Sequence, residues 1–139
     1  MLECLILGDS IAVGTQQYMP ECQLVAHSGW NSQQWNKAFL GRKLSADTVI
    51  ISLGTNDHQY IKTNEELLRM REQVKAKYVY WILPMGNSPK SGVKLEDIQN
   101  IIYQIADVYG DAVITTNRVQ TDKIHPSWAG YRELAEKTR

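Results

Sequence analysis

Ser10 follows a short apolar run, in the segment LILGDSIAVG at residues 5–14. A serine hydroxyl becomes a nucleophile when a base removes its proton. Near the other end of the chain, His125 offers such a base, and Asp122 stands three residues ahead of it. In a turn, this spacing lets the carboxylate bind Nδ1 of the imidazole and leaves Nε2 free to accept the serine proton. The three residue types therefore predict nucleophilic catalysis.

Attack on a carbonyl group creates an oxyanion, and this charge needs hydrogen-bond donors. Ser10 at a helix start would supply its own backbone N–H. Gly29 could supply a second backbone donor, because glycine permits close approach of the main chain. Asn56 could supply a side-chain amide. We therefore expect Ser10, Gly29 and Asn56 to form the oxyanion hole, although each of the last two is also an ordinary turn residue.

Simpler explanations exist for each residue taken alone. Ser10 or Asp9 could cap a helix, and His125 could be a surface histidine at a helix start. His58 is a rival base, but it lacks a carboxylate placed as well as Asp122 is. The convergence of these residues indicates a site, and it requires elements that bring them together.

Short apolar runs alternate along the chain with helical patterns. The runs are almost continuously apolar, which is typical of parallel strands covered on both faces. The pattern predicts an α/β protein with a single domain over residues 1–139, built as a three-layer α/β/α sandwich around a five-stranded parallel sheet. The predicted strands are Leu2–Leu7, Gln23–Ala26, Thr48–Leu53, Tyr78–Leu83 and Ala112–Thr115.

Helices are predicted between these strands. One begins at Ser32 and ends at Gly41, and a capping box over residues 63–66 starts another that runs on to Val74. A long helix covers residues 95–109, and Pro126 suits the first turn of the last helix. Ligands of such sheets bind at the carboxyl ends of the strands, and the polar segments 8–10, 27–31, 54–58 and 122–126 all follow strands.

With these segments identified, the chain resembles the SGNH hydrolases, also called GDSL esterases/lipases. The first block is GDSIAVG at 8–14, the second contributes Gly29, the third is GTND at 54–57, and the fourth is DKIHP at 122–126. The resemblance extends from residue 5 to about 131. It implies a flavodoxin-like sandwich, ester substrates and a serine hydrolase that needs no metal and no cofactor. Its triad would be Ser10, Asp122 and His125, with Ser10, Gly29 and Asn56 as oxyanion donors.

The chain departs from the family pattern at two positions. Ile11 replaces the leucine of the GDSL name, which is a nearly isosteric change. Asn31 stands where a further glycine is common, so the shape of the pocket near Gly29 is left open. The chain is also short for the family, which suggests trimmed loops and an open, shallow site.

Aromatic and amide side chains flank the predicted site. This combination suits the face of a sugar, so we expect a short acyl ester, and an O-acetyl group on a carbohydrate in particular. The predicted substrate-binding residues are Trp30, Asn31, His58 and Trp128. The alternatives are an acyltransferase on the same fold, a catalytically silent carbohydrate-binding module and a flavodoxin-type FMN carrier.

The amino-acid composition limits the classes of partner that this chain is expected to bind. Lys plus Arg and Asp plus Glu both number 15, and no basic block stands out, which argues against nucleic acid. No apolar run is long enough for a membrane span, and the N-terminal residues lack the features of a signal peptide, so we expect a cytoplasmic protein. Cys4 and Cys22 are predicted to be small core residues rather than a disulfide. No feature of the sequence specifies an oligomeric state.

Overall fold

The computed structural model describes residues 3–86 and 92–139. Strands and helices alternate throughout these ranges, as the sequence predicts. In chain order the elements are β1 (Cys4–Gly8), α1 (Ser10–Gln16), β2 (Gln23–Ala26), α2 (Ser32–Phe39), β3 (Leu44–Ser52), α3 (Thr63–Glu72), β4 (Val74–Ile82), α4 (Leu95–Tyr109), β5 (Ala112–Ile114) and α5 (Trp128–Lys137).

The five strands form one parallel sheet in the order β2-β1-β3-β4-β5. The predicted α/β fold with a five-stranded parallel sheet is thereby confirmed. Strand β1 lies between β2 and β3, so the chain reverses its direction of travel across the sheet between these two strands. Such a switch point opens a crevice at the carboxyl ends of the strands. Ser10 follows β1 and Asn56 follows β3, which places both residues at this crevice.

Both faces of the sheet are covered. Helices α2, α3 and α4 pack their apolar side chains on one face, where Trp35 and Trp81 are fully buried. Helices α1 and α5 cover the other face, where Ile6 and Leu134 are fully buried. None of the described helices combines the length and the apolar character that a membrane span requires. The predicted loop around residues 84–92 is only partly described, because residues 87–91 lie outside the described ranges.

Strands β3 and β4 both begin four residues earlier than predicted, and Val74 starts β4 instead of continuing a helix. The added residues pair with each other, beginning with Leu44 opposite Val74. Burial alternates along them, with Ala46 buried and Asp47 exposed. Continuous apolar runs locate only the fully covered part of a strand, so this half-covered extension was missed.

Helix α3 begins at Thr63, where the predicted capping box starts, but the predicted capping role of Thr63 was wrong, and so was the placement of Pro126 in the first turn of the last helix. Residue Lys62 precedes α3 without a side-chain cap, and the hydroxyl of Thr63 donates to a carboxylate in the neighbouring loop instead of capping the helix. Pro126 lies before α5 and forms an isolated bridge with Val119, while Ser127 caps the helix. In both cases a contact outside the helix engages a residue to which the local sequence assigned a role in starting the helix.

The prediction for the cysteines was also wrong, because Cys4 and Cys22 form a disulfide. Strand register explains the pair. Leu5 lies opposite Gln23, so the residues that precede them on neighbouring strands are adjacent, with Cα atoms 4.8 Å apart. Both cysteines are buried. The disulfide closes a loop that contains all of helix α1 and therefore Ser10.

Candidate active site

The Ser10 hydroxyl lies at the start of helix α1, directly after strand β1. Asp9 is the N-cap residue, and its side chain accepts a hydrogen bond from the backbone N–H of Ile11. Ser10 Oγ lies 2.8 Å from Nε2 of His125, a residue 115 positions away in the sequence. Both side chains are partly exposed. The fold thus brings the predicted nucleophile and the predicted base into hydrogen-bonding contact.

The Asp122 carboxylate holds His125 in place. Its Oδ2 lies 2.8 Å from His125 Nδ1, and its Oδ1 accepts the backbone N–H groups of Ile124 at 2.8 Å and His125 at 3.0 Å. The hydrogen bond from the Ile124 N–H, followed by those from His125, lowers the pKa of Asp122 to about 2. An ionised carboxylate accepts a hydrogen bond from Nδ1–H, so the proton stays on Nδ1 and Nε2 is the acceptor for the Ser10 O–H.

The loop that carries Asp122 and His125 packs against the segment that follows β4. Lys123, between the two catalytic candidates, has a left-handed backbone with φ of 56°. Gly86 approaches its carbonyl oxygen so closely that a Cβ at position 86 would overlap it. The backbone N–H of Gln120 donates to the His125 carbonyl at 2.8 Å and closes the loop. Sequence reasoning missed this contact, since only the glycine in PMGNS signals a tight approach.

The three predicted oxyanion donors surround the same end of the sheet. Ser10 is the first helical residue, so its N–H has no acceptor within the helix. Asn56 Nδ2 donates to the Trp30 carbonyl at 3.0 Å, and a primary amide carries a second N–H. Gly29 has φ of +83°, but a Cβ there would meet nothing within 4 Å. This φ favours glycine, and the approach of the Gly29 N–H to a substrate oxyanion stays a prediction.

A buried carboxylate, Asp57, ties the Asn56 loop to two helices. It accepts hydrogen bonds from the Ser32 N–H at 2.8 Å, from the Ser32 hydroxyl at 2.7 Å and from the Thr63 hydroxyl at 2.7 Å. These partners lie at the starts of α2 and α3. The Asn56 amide is consequently held on a fixed turn, by contacts that span 25 residues to Ser32 and 6 residues to Thr63.

The predicted substrate-binding residues fall into two groups. Asn31 is buried, and its side chain caps α2 by accepting the Gln34 N–H at 2.9 Å. Asn31 therefore has a structural role at the start of α2, and its contact with substrate stays a prediction. Trp30, in contrast, is partly exposed and stacks on His27, with ring centroids 4.0 Å apart and ring planes 9° apart. One face of the His27 ring is therefore covered by Trp30.

Trp128 and His58 lie on separate elements, each close in sequence to a residue of the predicted site. Trp128 is 65% exposed at the start of α5, three residues after His125, and contacts the Tyr18 ring edge-on at 6.1 Å. His58 follows the Asn56 loop, and its Nδ1 accepts the Tyr60 N–H at 3.2 Å. His58 has no hydrogen bond to Ser10, so the geometry favours His125 as the base.

Potential metal ligands lie close together at one place among the described residues. The one group there with three suitably close donor side chains consists of Cys4, Glu21 and Cys22. Its two sulfur atoms are bonded to each other in the disulfide. This group lies at the start of β1, at the opposite end of that strand from Ser10.

Several solved structures share this fold. A catalytic mutant of Axe2, an acetylxylan esterase from Geobacillus stearothermophilus, aligns with a TM-score of 0.61 and 19% identity, over 96% of this chain and 90% of that chain. The C-terminal catalytic domain of peptidoglycan O-acetyltransferase A from Streptococcus pneumoniae aligns with a TM-score of 0.62 and 19% identity, over 96% and 88% of the two chains. LAE5, an alpha/beta hydrolase enzyme from the metagenome of Lake Arreo, has a TM-score of 0.61 at 17% identity, over 96% and 91%.

At these identities the similarity establishes the fold alone. No sequence among curated proteins matches the chain significantly. A model of the GDSL-like lipase/acylhydrolase family, however, matches residues 6–133, which include every block on which the resemblance was based. The chain belongs to the GDSL-like lipase/acylhydrolase family and is an ester-hydrolysing enzyme.

Proposed function

We propose that this protein is a serine esterase that removes short acyl groups, in particular O-acetyl groups from a carbohydrate, with Ser10 as its nucleophile. One observation carries the proposal. An unbroken chain of hydrogen bonds runs from the Ser10 hydroxyl through both nitrogens of His125 to Asp122, with both links at 2.8 Å. This arrangement has the connectivity that activates a serine.

In the first step, Ser10 Oγ attacks the ester carbonyl carbon while its proton moves to His125 Nε2. A bond forms between Oγ and the carbonyl carbon, and the carbonyl electron pair moves onto oxygen. The Ser10 N–H, the Gly29 N–H and the Asn56 amide stabilise this oxyanion. The Asp122 carboxylate stabilises the imidazolium that results.

The intermediate then collapses. The bond to the alcohol oxygen breaks, and His125 gives its proton to the leaving alcohol, so the acyl group remains on Ser10. A water molecule attacks this acyl-enzyme while His125 takes its proton. Collapse of the second intermediate returns the proton to Ser10 Oγ and releases the carboxylic acid.

The preference for a carbohydrate rests on the surface around the site. Trp128 is largely exposed, Trp30 is partly exposed, and Tyr60, beside His58, is 81% exposed. Exposed aromatic side chains offer an apolar ring face next to water. This suits sugar rings, because a sugar ring also combines an apolar face with polar hydroxyl groups. An acetylxylan esterase among the structures with this fold supports the same substrate class.

Two series of substrates test this proposal. Nitrophenyl acetate, butyrate and octanoate should give kcat/KM values that fall with acyl length, and Ser10→Ala should abolish all three activities.

On acetylated xylo-oligosaccharides, Trp128→Ala should raise KM while hydrolysis of nitrophenyl acetate is retained. Tyr103→Ala provides the matched control, because Tyr103 is a half-exposed aromatic residue on α4. Preference for octanoate would contradict the carbohydrate assignment, and full activity of Ser10→Ala would contradict the mechanism.

Acyl transfer is the second candidate. The partly exposed Ser10 and His125 leave room for a sugar hydroxyl to attack the acyl-enzyme in place of water. The fold shared with the catalytic domain of an O-acetyltransferase favours keeping this alternative. Incubation with an acetyl donor and an unmodified oligosaccharide would separate the two, since transfer yields acetylated oligosaccharide and hydrolysis yields acetate.

A further inference from the structure

The carboxyl group of Asp9 lies one residue before the proposed nucleophile and is completely buried. Its Oδ1 accepts the Ile11 N–H at 3.0 Å and the Ser52 hydroxyl at 3.3 Å. The Asp9 backbone N–H also donates to the Ser52 carbonyl at 3.0 Å. Asp9 therefore ties the start of helix α1 to the end of strand β3, on the turn that carries Ser10.

The second carboxyl oxygen has a different environment. Oδ2 is buried, and no group in residues 3–86 or 92–139 forms a hydrogen bond with it. A carboxylate anion has two oxygens that both need donors, and burial without them disfavours the charged form. The mechanism described above does not use this group, although it lies beside the reacting serine.

The surrounding titratable groups provide little compensating charge. His125 faces Asp9 from the catalytic loop, Asp57 faces it from the loop after β3, and Tyr131 faces it from α5. Asp57 adds negative charge, and burial raises the pKa of Tyr131 to about 12, so the phenol is neutral. His125 already has Asp122 as its partner. The largest effect on Asp9 is desolvation, which raises its pKa to about 7.

We propose that Asp9 is a positioning residue that works as a neutral carboxylic acid, and that a negative charge on it suppresses turnover. This inference rests on the proposed function, because the proposed function assigns Ser10 as the nucleophile. The neutral group still accepts hydrogen bonds through Oδ1 and so fixes the Ser10 turn. An ionised Asp9 would place a buried negative charge one residue from the N–H that must bind the oxyanion, and this charge opposes formation of the oxyanion.

Asp9→Asn tests the proposal through the pH profile, because asparagine keeps the acceptor oxygen and cannot ionise. The profile of kcat/KM reports the ionisations of the free enzyme. At pH 6 the variant should retain most of the wild-type activity on nitrophenyl acetate. Between about pH 6 and 8.5 the ratio of variant to wild type should rise by about tenfold, as the wild-type carboxyl loses its proton. Asp9→Ala lacks the acceptor and should lose at least about tenfold at pH 6, where the wild-type carboxyl is neutral.

A ratio that is constant with pH would overturn the proposal. So would an Asp9→Asn variant that keeps its circular dichroism spectrum but is inactive at every pH, since catalysis would then need the charge. Equal activity of Asp9→Ala and wild type at pH 6 would refute a positioning role.

The urea unfolding midpoint gives a second measurement that does not depend on catalysis. A carboxyl whose pKa is higher in the folded than in the unfolded state binds extra protons when folded, so its contribution to stability falls as pH rises between the two values. The midpoint of Asp9→Asn relative to wild type should therefore increase from about pH 4 to 7 and level off above that. A difference that does not change with pH would contradict a neutral Asp9. Full activity of Ser10→Ala would instead refute the proposed function, while the midpoint still reports the charge on Asp9.

Discussion

At the scale of single residues, the site depends on which atoms carry protons. The Asp-x-x-His spacing was enough to predict that Asp122 and His125 interact. The spacing did not predict that Asp122 Oδ1 would accept two backbone N–H groups, which keep this exposed carboxylate ionised. The burial of Asp9 could not be predicted from the local sequence either, because its hydrogen-bond partner Ser52 is 43 residues away. Local sequence thus identifies the reacting groups but not the hydrogen bonds that set their charge.

Asp122→Asn should reduce kcat sharply while the fold is retained. An amide nitrogen facing Nδ1 would donate a hydrogen bond, so the imidazole would carry its proton on Nε2 and could not accept the Ser10 proton. We expect a loss of about 10²–10⁴-fold in kcat on nitrophenyl acetate. Asp107→Asn is the control, because Asp107 is an exposed carboxylate on α4. Equal kcat for the two variants would remove Asp122 from the mechanism.

At the scale of elements, the order of strands and helices followed from the sequence because each apolar run is short and flanked by turn residues. Element boundaries were less predictable where a tertiary contact competes with a local one, as at Thr63 and Pro126. The catalytic loop is the clearest case. Its position depends on the approach of Gly86 to Lys123, between two loops that no local pattern connects.

Gly86→Ala should therefore disturb catalysis from outside the hydrogen-bonded triad. The new Cβ would overlap the Lys123 carbonyl oxygen and displace the loop that carries His125. A misplacement of about 1 Å can cost about 10²-fold in rate, so we expect kcat to fall by about 10–10²-fold. Gly41→Ala is the matched control. Gly41 also has a positive φ, of 101°, but its Cβ would meet nothing within 4 Å.

Both variants should lose some stability from backbone strain, at about 1–3 kcal/mol each. Only Gly86→Ala should lose activity under conditions where both proteins are folded by circular dichroism. A parallel loss of kcat in the two variants would mean that strain alone, and not the contact with Lys123, explains the effect.

At the scale of the whole molecule, a parallel sheet covered on both faces brings Ser10, near the start of the sequence, and His125, near its end, together at one crevice. The fold class was predictable because it depends on the pattern of the entire chain rather than on any one boundary. The disulfide was not, because it depends on register: only the pairing of Leu5 with Gln23 brings Cys4 next to Cys22. Two cysteines 18 residues apart suit separate core positions equally well.

Reduction of this disulfide should destabilise the protein. Closing a loop of roughly this size contributes about 3 kcal/mol through the unfolded state. Urea unfolding monitored by tryptophan fluorescence should therefore show a lower midpoint in the presence of dithiothreitol. The Cys4→Ala/Cys22→Ala double variant should unfold at a midpoint that does not respond to the reductant. Identical midpoints for the oxidised and reduced wild-type protein would contradict the stabilising role of the disulfide.

The central claim, that Ser10 is a nucleophile activated by His125, is tested most directly by labelling with a fluorophosphonate. Intact-protein and peptide mass spectrometry should find one label per chain, attached to Ser10. The label should be absent from Ser10→Ala and should form much more slowly on His125→Ala. An unlabelled wild-type protein, or a label on another residue, would contradict the claim.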